Sequence, residues 1–321
     1  MKYQVSIIIP IYNVQDYIAD SLLSALNQTF ESIEYILVDD CSADDSIAIA
    51  KKVINQHSRK QDVYIYKHDQ NRGLSAARNT GLSNATAEYV FFMDSDDEIL
   101  LDCIEKHYEE ITNKRTSFTV ADMVLSGAKS IHIVDMPDGL DEMKPLLSFF
   151  RKKWNISACN KLYLKEFLSD NNLRFHDGLM HEDVLWSYKL ALYALNIGFV
   201  KGKTYIYKVR SGSITSQKGT KKVENILYIL KTIMEDYEKG LICKEYYYDM
   251  CRFIDFWRFN SALLLLNSTK NISERKKFLE LIKKTNKYKC VNLYSILLKM
   301  PFFLIFAKPP YILYKKIAYL R

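Results

Sequence analysis

The chain has 321 residues, 48% of them hydrophobic, and a formal net charge of +7; a wholly disordered chain is excluded, and only 10 Gly and 6 Pro exclude collagen-like and low-complexity classes. Nine basic and no acidic residues lie between Leu281 and Arg321, so residues 1–280 hold the other 36 basic residues against 38 acidic ones, a net of −2. A slightly acidic body with a basic tail argues against nucleic acid as a partner, because such a binder spreads positive charge over its fold.

Val5-Ser6-Ile7-Ile8-Ile9 is a β-branched run of the kind a strand buried on both faces needs, with Pro10 ending it. Asp16 to Asn27 follows at helical spacing, and Tyr35-Ile36-Leu37-Val38 is a second apolar run, stopped by Asp39-Asp40. Asp44 or Asp45 caps a helix to about Gln56. Val63 to Tyr66 is a third strand, Ser75 to Leu82 a short helix, Tyr89 to Met93 a fourth strand, and Ile99 to Thr112 a helix. Further on, Met123 to Leu125 and Ser130 to Val134 read as strands, and Leu146 to Phe150 and Val184 to Leu195 as helices. Beyond a boundary near 215–222, Asn225 to Glu238, Lys244 to Leu266 and Glu274 to Thr285 read as helices.

Strand–helix alternation with short connections implies an α/β fold, a mostly parallel sheet flanked by helices. Ligands of such sheets bind outside the carboxyl ends of the strands. Polar clusters sit at three of those ends: Pro10 to Asn13, Asp39 to Asp44, and Asp94 to Asp97.

Asp94-Ser95-Asp96-Asp97 places two carboxylates two residues apart just past a buried strand. Mg²⁺ or Mn²⁺ takes one or two carboxylates together with phosphate oxygens. Taken alone, an acidic turn is an equally ordinary reading. Asp39 and Asp40 stand where a nucleoside presents donors, although helix capping also explains acids in this loop. Around Asn71-Arg72-Gly73 and Ala77-Arg78-Asn79, small residues let a helix approach the sheet, and Arg78 can reach a base or phosphate.

In this order and spacing, Pro10-Ile11-Tyr12-Asn13, Val38-Asp39-Asp40-Cys41-Ser42, Asn71-Arg72-Gly73, Ala77-Arg78-Asn79-x-Gly81 and Asp94-Ser95-Asp96-Asp97 resemble glycosyltransferase family 2, inverting enzymes of GT-A fold. The resemblance is tight over 3–115 and looser to about 216. It implies a catalytic domain over 1–216, with the sugar nucleotide on 1–115 and the acceptor side on 116–216, and a helical region over 217–321. It implies hexosyl transfer from a nucleotide-diphosphate sugar, with uridine the usual nucleoside. The first loop and Asp39-Asp40 would hold the nucleoside; Asp94-Ser95-Asp96 would hold ribose and a diphosphate-bound Mn²⁺ or Mg²⁺, with Asp96 the direct ligand beside Asp94. An inverting transfer needs a general base. The family's later acidic pair matches Gly178-Leu179-Met180-His181-Glu182-Asp183, which makes Asp183 the base, with Glu182 and His181 lining the acceptor side. Asn160-Lys161-Leu162-Tyr163 and Tyr207-Lys208-Val209-Arg210 also look like family features, and Lys161 and Arg210 become diphosphate or acceptor contacts.

The six cysteines include no CxxC pair, and MKYQVSIIIP resembles no signal peptide, so reduced thiols and a cytoplasmic location are expected. In the tail the uninterrupted apolar piece, Met300 to Ala307, is 8 residues long, too short to span a bilayer. Its mixture of basic, aromatic and aliphatic residues over 290–321 fits either an anionic membrane face or a packed helix with a solvated Lys face. The first reading places the enzyme on the inner face of the cell membrane with a lipid-linked glycan acceptor, as in surface polysaccharide synthesis. A dehydrogenase would show GxGxxG after the first strand, where Pro10-Ile11-Tyr12-Asn13 stands. The other surviving reading is a catalytically silent GT-A sugar-nucleotide binder, against which Asp96 and Asp183 speak.

Overall fold

The computed structural model describes residues 2–127, 143–209, 220–269, 271–285, 288 and 291–298. Ser130 to Val134, Arg210 and the tail from Lys299 lie outside the described residues. The chain divides into two compact units, residues 1–149 with 153–211 and residues 150–152 with 212–321.

The first unit runs β1 (Val5–Ile11), α1 (Ile18–Leu26), β2 (Ile33–Asp39), α2 (Ser46–Gln56), β3 (Val63–Lys67), α3 (Leu74–Asn84), β4 (Tyr89–Phe92), β5 (Glu98–Ile99), α4 (Cys103–Lys114), β6 (Phe118–Ser126), α5 (Pro145–Phe150), β7 (Leu162–Leu164), α6 (Lys165–Asp170), α7 (Glu182–Tyr193) and β8 (Ile197–Lys208). One mixed eight-stranded sheet results, in the order β3-β2-β1-β4-β7-β6-β8-β5. Strands β3, β2, β1 and β4 are parallel, so their carboxyl ends share one edge. Every residue of β1, β2 and β4 is buried, as their unbroken apolar runs require.

Pro10 does not end β1, which continues to Ile11. Met93 N–H donates to Ile8 C=O, and Asp40 N–H to Ile11 C=O, so even residues of β1 face β4 and odd ones face β2. Pro10 therefore lacks its N–H only on the β4 side, where pairing has stopped at Ile8. Likewise Ile99 is not the start of a helix. It pairs with Tyr205 in the short β5, and α4 begins at Cys103. The cap of α2 comes from Asp44, whose carboxylate accepts Ser46 N–H at 3.1 Å. Small residues bring α3 onto the sheet: a methyl at Gly81 would lie 2.3 Å from Ile8 Cγ2.

Under the sheet's second half lies a polar knot. His107 is fully buried; its Nδ1 meets Thr119 Oγ1 at 2.7 Å, and its Nε2 faces Asn160 Oδ1 and Thr204 Oγ1, both at 3.3 Å. Burial pulls the imidazole down to about 3. The unfolded chain thus binds a proton near pH 6.5 that the folded chain refuses until about pH 3, so His107's contribution to stability holds above pH 6.5 and is lost as pH falls. We expect His107→Gln to lower the melting temperature at pH 7 yet flatten the further loss between pH 7 and pH 4. Parallel losses in native chain and variant would refute this.

The second unit runs α8 (Lys221–Glu238), α9 (Tyr247–Ser268), α10 (Ile272–Lys284) and α11 (Leu293–Leu298). Helix α9 packs against the other three. Its buried Arg258 donates Nε to Ile282 C=O at 2.9 Å and Nη2 to Lys283 C=O at 3.2 Å, which satisfies the carboxyl end of α10. Asp255 neutralises that guanidinium at 2.6 Å. No helix among the described residues is long and apolar enough to cross a membrane.

Candidate active site

Chain crossovers bring three loops to the carboxyl edge of β1, β2 and β4. The first two are laced together. Asn13, held in a left-handed conformation (φ 51°), accepts Ala43 N–H on Oδ1 at 2.9 Å. Gln15 N–H donates to Asp44 at 3.0 Å and Val14 N–H to Ser46 Oγ at 2.8 Å. Pro10 and Ile11 are buried beneath this lacing, while Tyr12 is 46% exposed at its rim. Asp39 is buried and accepts Ser42 N–H at 2.8 Å.

Asp40 works on the chain itself. Its two oxygens accept Arg72 N–H at 2.8 Å and Gly73 N–H at 2.7 Å, and His68 Nδ1 sits 2.7 Å away. Gly73, with φ 88°, begins α3 in a conformation that glycine adopts without strain. Asp40 thereby ties the end of β2 to the start of α3 and leaves Asn71 and Arg72 on the surface.

Arg78 lies at the centre, 1% exposed. Its Nη2 donates to Asp94 at 2.9 Å, and its Nη1 to Glu182 at 3.0 Å and Asp183 at 3.1 Å. Its guanidinium carbon stands 5.1 Å from the Phe175 ring centre, and that ring stacks on Trp186 at 4.1 Å. Asn79 fixes Phe175 in place by accepting its N–H at 2.9 Å and donating to its C=O at 2.8 Å. Burial opposes the charge on Arg78, but Asp94 and Asp183 outweigh it and hold the group protonated. The expected reach of Arg78 to a base or phosphate is therefore replaced, in this state, by an ion pair with three carboxylates.

Asp94 is bound from below. Its N–H donates to Tyr205 OH at 3.2 Å, and that hydroxyl donates to Asp97 at 2.9 Å. Asp97 also accepts Lys208 N–H at 2.8 Å. Ser95 is buried, while Asp94 and Asp96 keep part of their surface. Burial, then the charges of Asp94 and Asp96, push Asp97 up to about 8. His181 turns the chain into α7 with φ 64°, which places Glu182 and Asp183 in the first turn. Burial and the charge of Asp183 push Glu182 up to about 7 against the pull of Arg78. Burial raises Asp183 as well, against Arg78, Lys161 and the Ala158 N–H.

Lys161 is fully buried and its ammonium donates to backbone, so it offers no surface to a ligand. Tyr205, Asp97 and Phe175 are site residues that the sequence left unassigned. Asp97 carried a signal as the last acid of Asp94-Ser95-Asp96-Asp97, whereas Tyr205 and Phe175 become neighbours only through the fold.

Carboxylates here outnumber cations, and the acids repel one another. Among the described residues no three side chains of His, Cys, Asp or Glu gather as a complete metal cage. A hard divalent ion that draws most of its ligands from phosphate and water is the kind that fits so few, partly exposed carboxylates.

The chain belongs to glycosyl transferase family 2, whose profile matches residues 6–171, just over half of the chain. Glycosyltransferase GlyA of Streptococcus pneumoniae is 32% identical over 228 residues, 66% of this chain but only 31% of GlyA. The crystal structure of S. aureus TarS 1–349 in complex with UDP-GlcNAc superposes with a TM-score of 0.63 at 20% identity, covering 89% of this chain and 93% of that one. Mannosyltransferase PcManGT from Pyrobaculum calidifontis, in complex with GDP-Man and Mn²⁺, gives 0.63 at 14% identity, covering 99% and 85%. These likenesses identify the sheet as the GT-A fold.

Proposed function

We propose that the chain is an inverting, metal-dependent hexosyltransferase. It moves a sugar from a UDP-sugar to an acceptor hydroxyl, that of a lipid-linked glycan in surface polysaccharide assembly. The observation that carries this reading is the Arg78 junction: one guanidinium holds Asp94 of the donor loop and the acidic pair Glu182-Asp183 within 3.1 Å of its nitrogens. Donor-binding acid and proton acceptor thus face one small volume at the sheet edge.

Asp183 takes the proton of the acceptor hydroxyl as its oxygen bonds to the anomeric carbon. The bond from that carbon to the diphosphate breaks in the same displacement, so the configuration inverts. Asp94 and Asp96 would hold a Mn²⁺ or Mg²⁺, which would neutralise charge on the leaving diphosphate. The one thiol beside the junction, Cys159, is held in its protonated form by burial and by Asp94, which fits a mechanism without a cysteine nucleophile. UDP-GlcNAc in TarS supports the uridine donor, and Mn²⁺ in PcManGT supports the metal. The basic, apolar composition of 290–321 supports an anionic membrane surface beside the acceptor.

A thermal-shift screen of metal-stripped protein tests the donor. A UDP-sugar with Mn²⁺ at a hundredfold excess over its Kd adds about 2.7 kcal/mol, a rise of several degrees. Asp96→Ala loses that rise. A rise of equal size in Asp96→Ala would remove Asp96 from the donor site.

A further inference from the structure

The segment Asn160-Lys161-Leu162-Tyr163 enters β7, and each of its polar side chains turns onto backbone. Asn160, left-handed with φ 59°, donates its Nδ2 to the C=O of Ala121 and of Asp122, both at 2.9 Å. The Lys161 ammonium donates to Asn155 C=O at 2.7 Å and to Ser157 C=O. Ser187 Oγ, from α7, donates to Ile156 C=O at 2.7 Å. Tyr163 OH donates to Ala158 C=O at 2.7 Å and accepts Trp186 Nε1–H at 3.2 Å. Four consecutive carbonyls, 155 to 158, are therefore each held by a side chain. The loop they belong to is thereby tied to α7, whose first turn carries Asp183, through Ser187 and through Trp186 on the Tyr163 hydroxyl.

A neutral donor could satisfy two carbonyls at far lower desolvation cost than a buried ammonium. The ammonium spans the carbonyls of Asn155 and Ser157, on either side of the Ile156 C=O that Ser187 of α7 holds. We propose that Lys161 and Tyr163 are positioning residues for Asp183, clamping loop 155–158 so that its bonds to Ser187 and Trp186 hold α7, and with it the carboxylate that meets the acceptor hydroxyl. The inference rests on Asp183 being the general base.

The test uses the full chain with Mn²⁺ and UDP-GlcNAc, reading UDP release to water. Tyr163→Phe removes one hydroxyl and keeps the ring; we expect kcat to fall about tenfold, and about a hundredfold in Lys161→Met, the scale of loss that misplacing a catalytic group by an ångström produces. KM for UDP-GlcNAc stays within about twofold, because uniform binding is untouched. In an Asp183→Asn background neither change adds a further loss, since both act through the same group. Losses that add in full, or native kcat in both single variants, overturn the inference. If Asp183→Asn itself releases UDP at the native rate, the base assignment fails instead. Hydrogen–deuterium exchange over residues 155–160 and 182–188 decides independently of turnover: the amides of the loop and of the first turns of α7 exchange faster in Tyr163→Phe than in the native chain. Unchanged exchange there overturns the inference, even if Lys161→Met does not fold.

Discussion

If Asp183 is the proposed base, Asp183→Asn is expected to bind the sugar nucleotide as tightly as the native chain and to transfer its sugar about 10²–10⁴-fold more slowly, the range that a positioned general base supplies. The substitution keeps size and shape. An amide oxygen still accepts from Arg78 Nη1, now 3.1 Å from the carboxylate, so the junction stays assembled. What disappears is the basicity proposed to remove the acceptor proton. The loss of one negative charge also relaxes Glu182, whose pKa of about 7 owes part of its rise to Asp183. Calorimetric titration with the donor, read beside product formation, separates the outcomes. Native turnover would exclude Asp183 as the base, and lost donor binding would assign it to the donor instead.

The edge formed by β1, β2 and β4 was legible because its signals are local. Strands β1, β2 and β4 are apolar on both faces, and the residues just past them are polar, so sequence position alone places Asn13, Asp39 and Asp94 on one edge. The part of the sheet beyond β4 was not. Strand β8 (Ile197–Lys208) alternates buried stretches with exposed Lys201 and Gly202, and its ladder with β6 slips at Asp122. No apolar run marks it, and its partner lies some 80 residues earlier in the chain. Yet β8 supplies Tyr205 and the Lys208 N–H that seat the Asp94–Asp97 turn. Strand β7 is three residues long, too short for a periodic signal, and pairs antiparallel with β4 on one side and β6 on the other.

Charge shows the same limit. The net charge of +7 divides into a body near −2 and a tail of +9 by counting. Counting does not show that the body's acids gather around one buried cation. Arg78 sits 16 residues from Asp94 and 104 from Glu182, and the sequence, which points it at a base or phosphate, gives no sign of the three carboxylates it meets.

That burial makes Arg78→Met the most damaging single change we expect outside the proton transfer itself. Removing one member of a buried ionic cluster leaves the others uncompensated, at a cost of about 3–5 kcal/mol. Asp94, Glu182 and Asp183 keep 26%, 14% and 29% of their side-chain surface in solvent, which places the loss toward the lower end. At about 3 kcal/mol the melting temperature falls by about 6–12 °C. The loss depends on pH with a fixed sign. Arg78 lowers the pKa of both Glu182 and Asp183, so without it both carboxyls rise further above their unfolded values. The folded variant then binds more protons than the unfolded chain in the window above pH 4, and its stability falls as pH rises through the folded values. The deficit relative to the native chain should therefore be small at pH 5 and large at pH 8. Arg78→Lys recovers only part of it, because one ammonium cannot fork to carboxylates on both sides as a guanidinium does. Melting curves of the three proteins at the two pH values suffice. A deficit independent of pH would mean that Arg78 stabilises the site through its contact with Phe175 rather than through its charge.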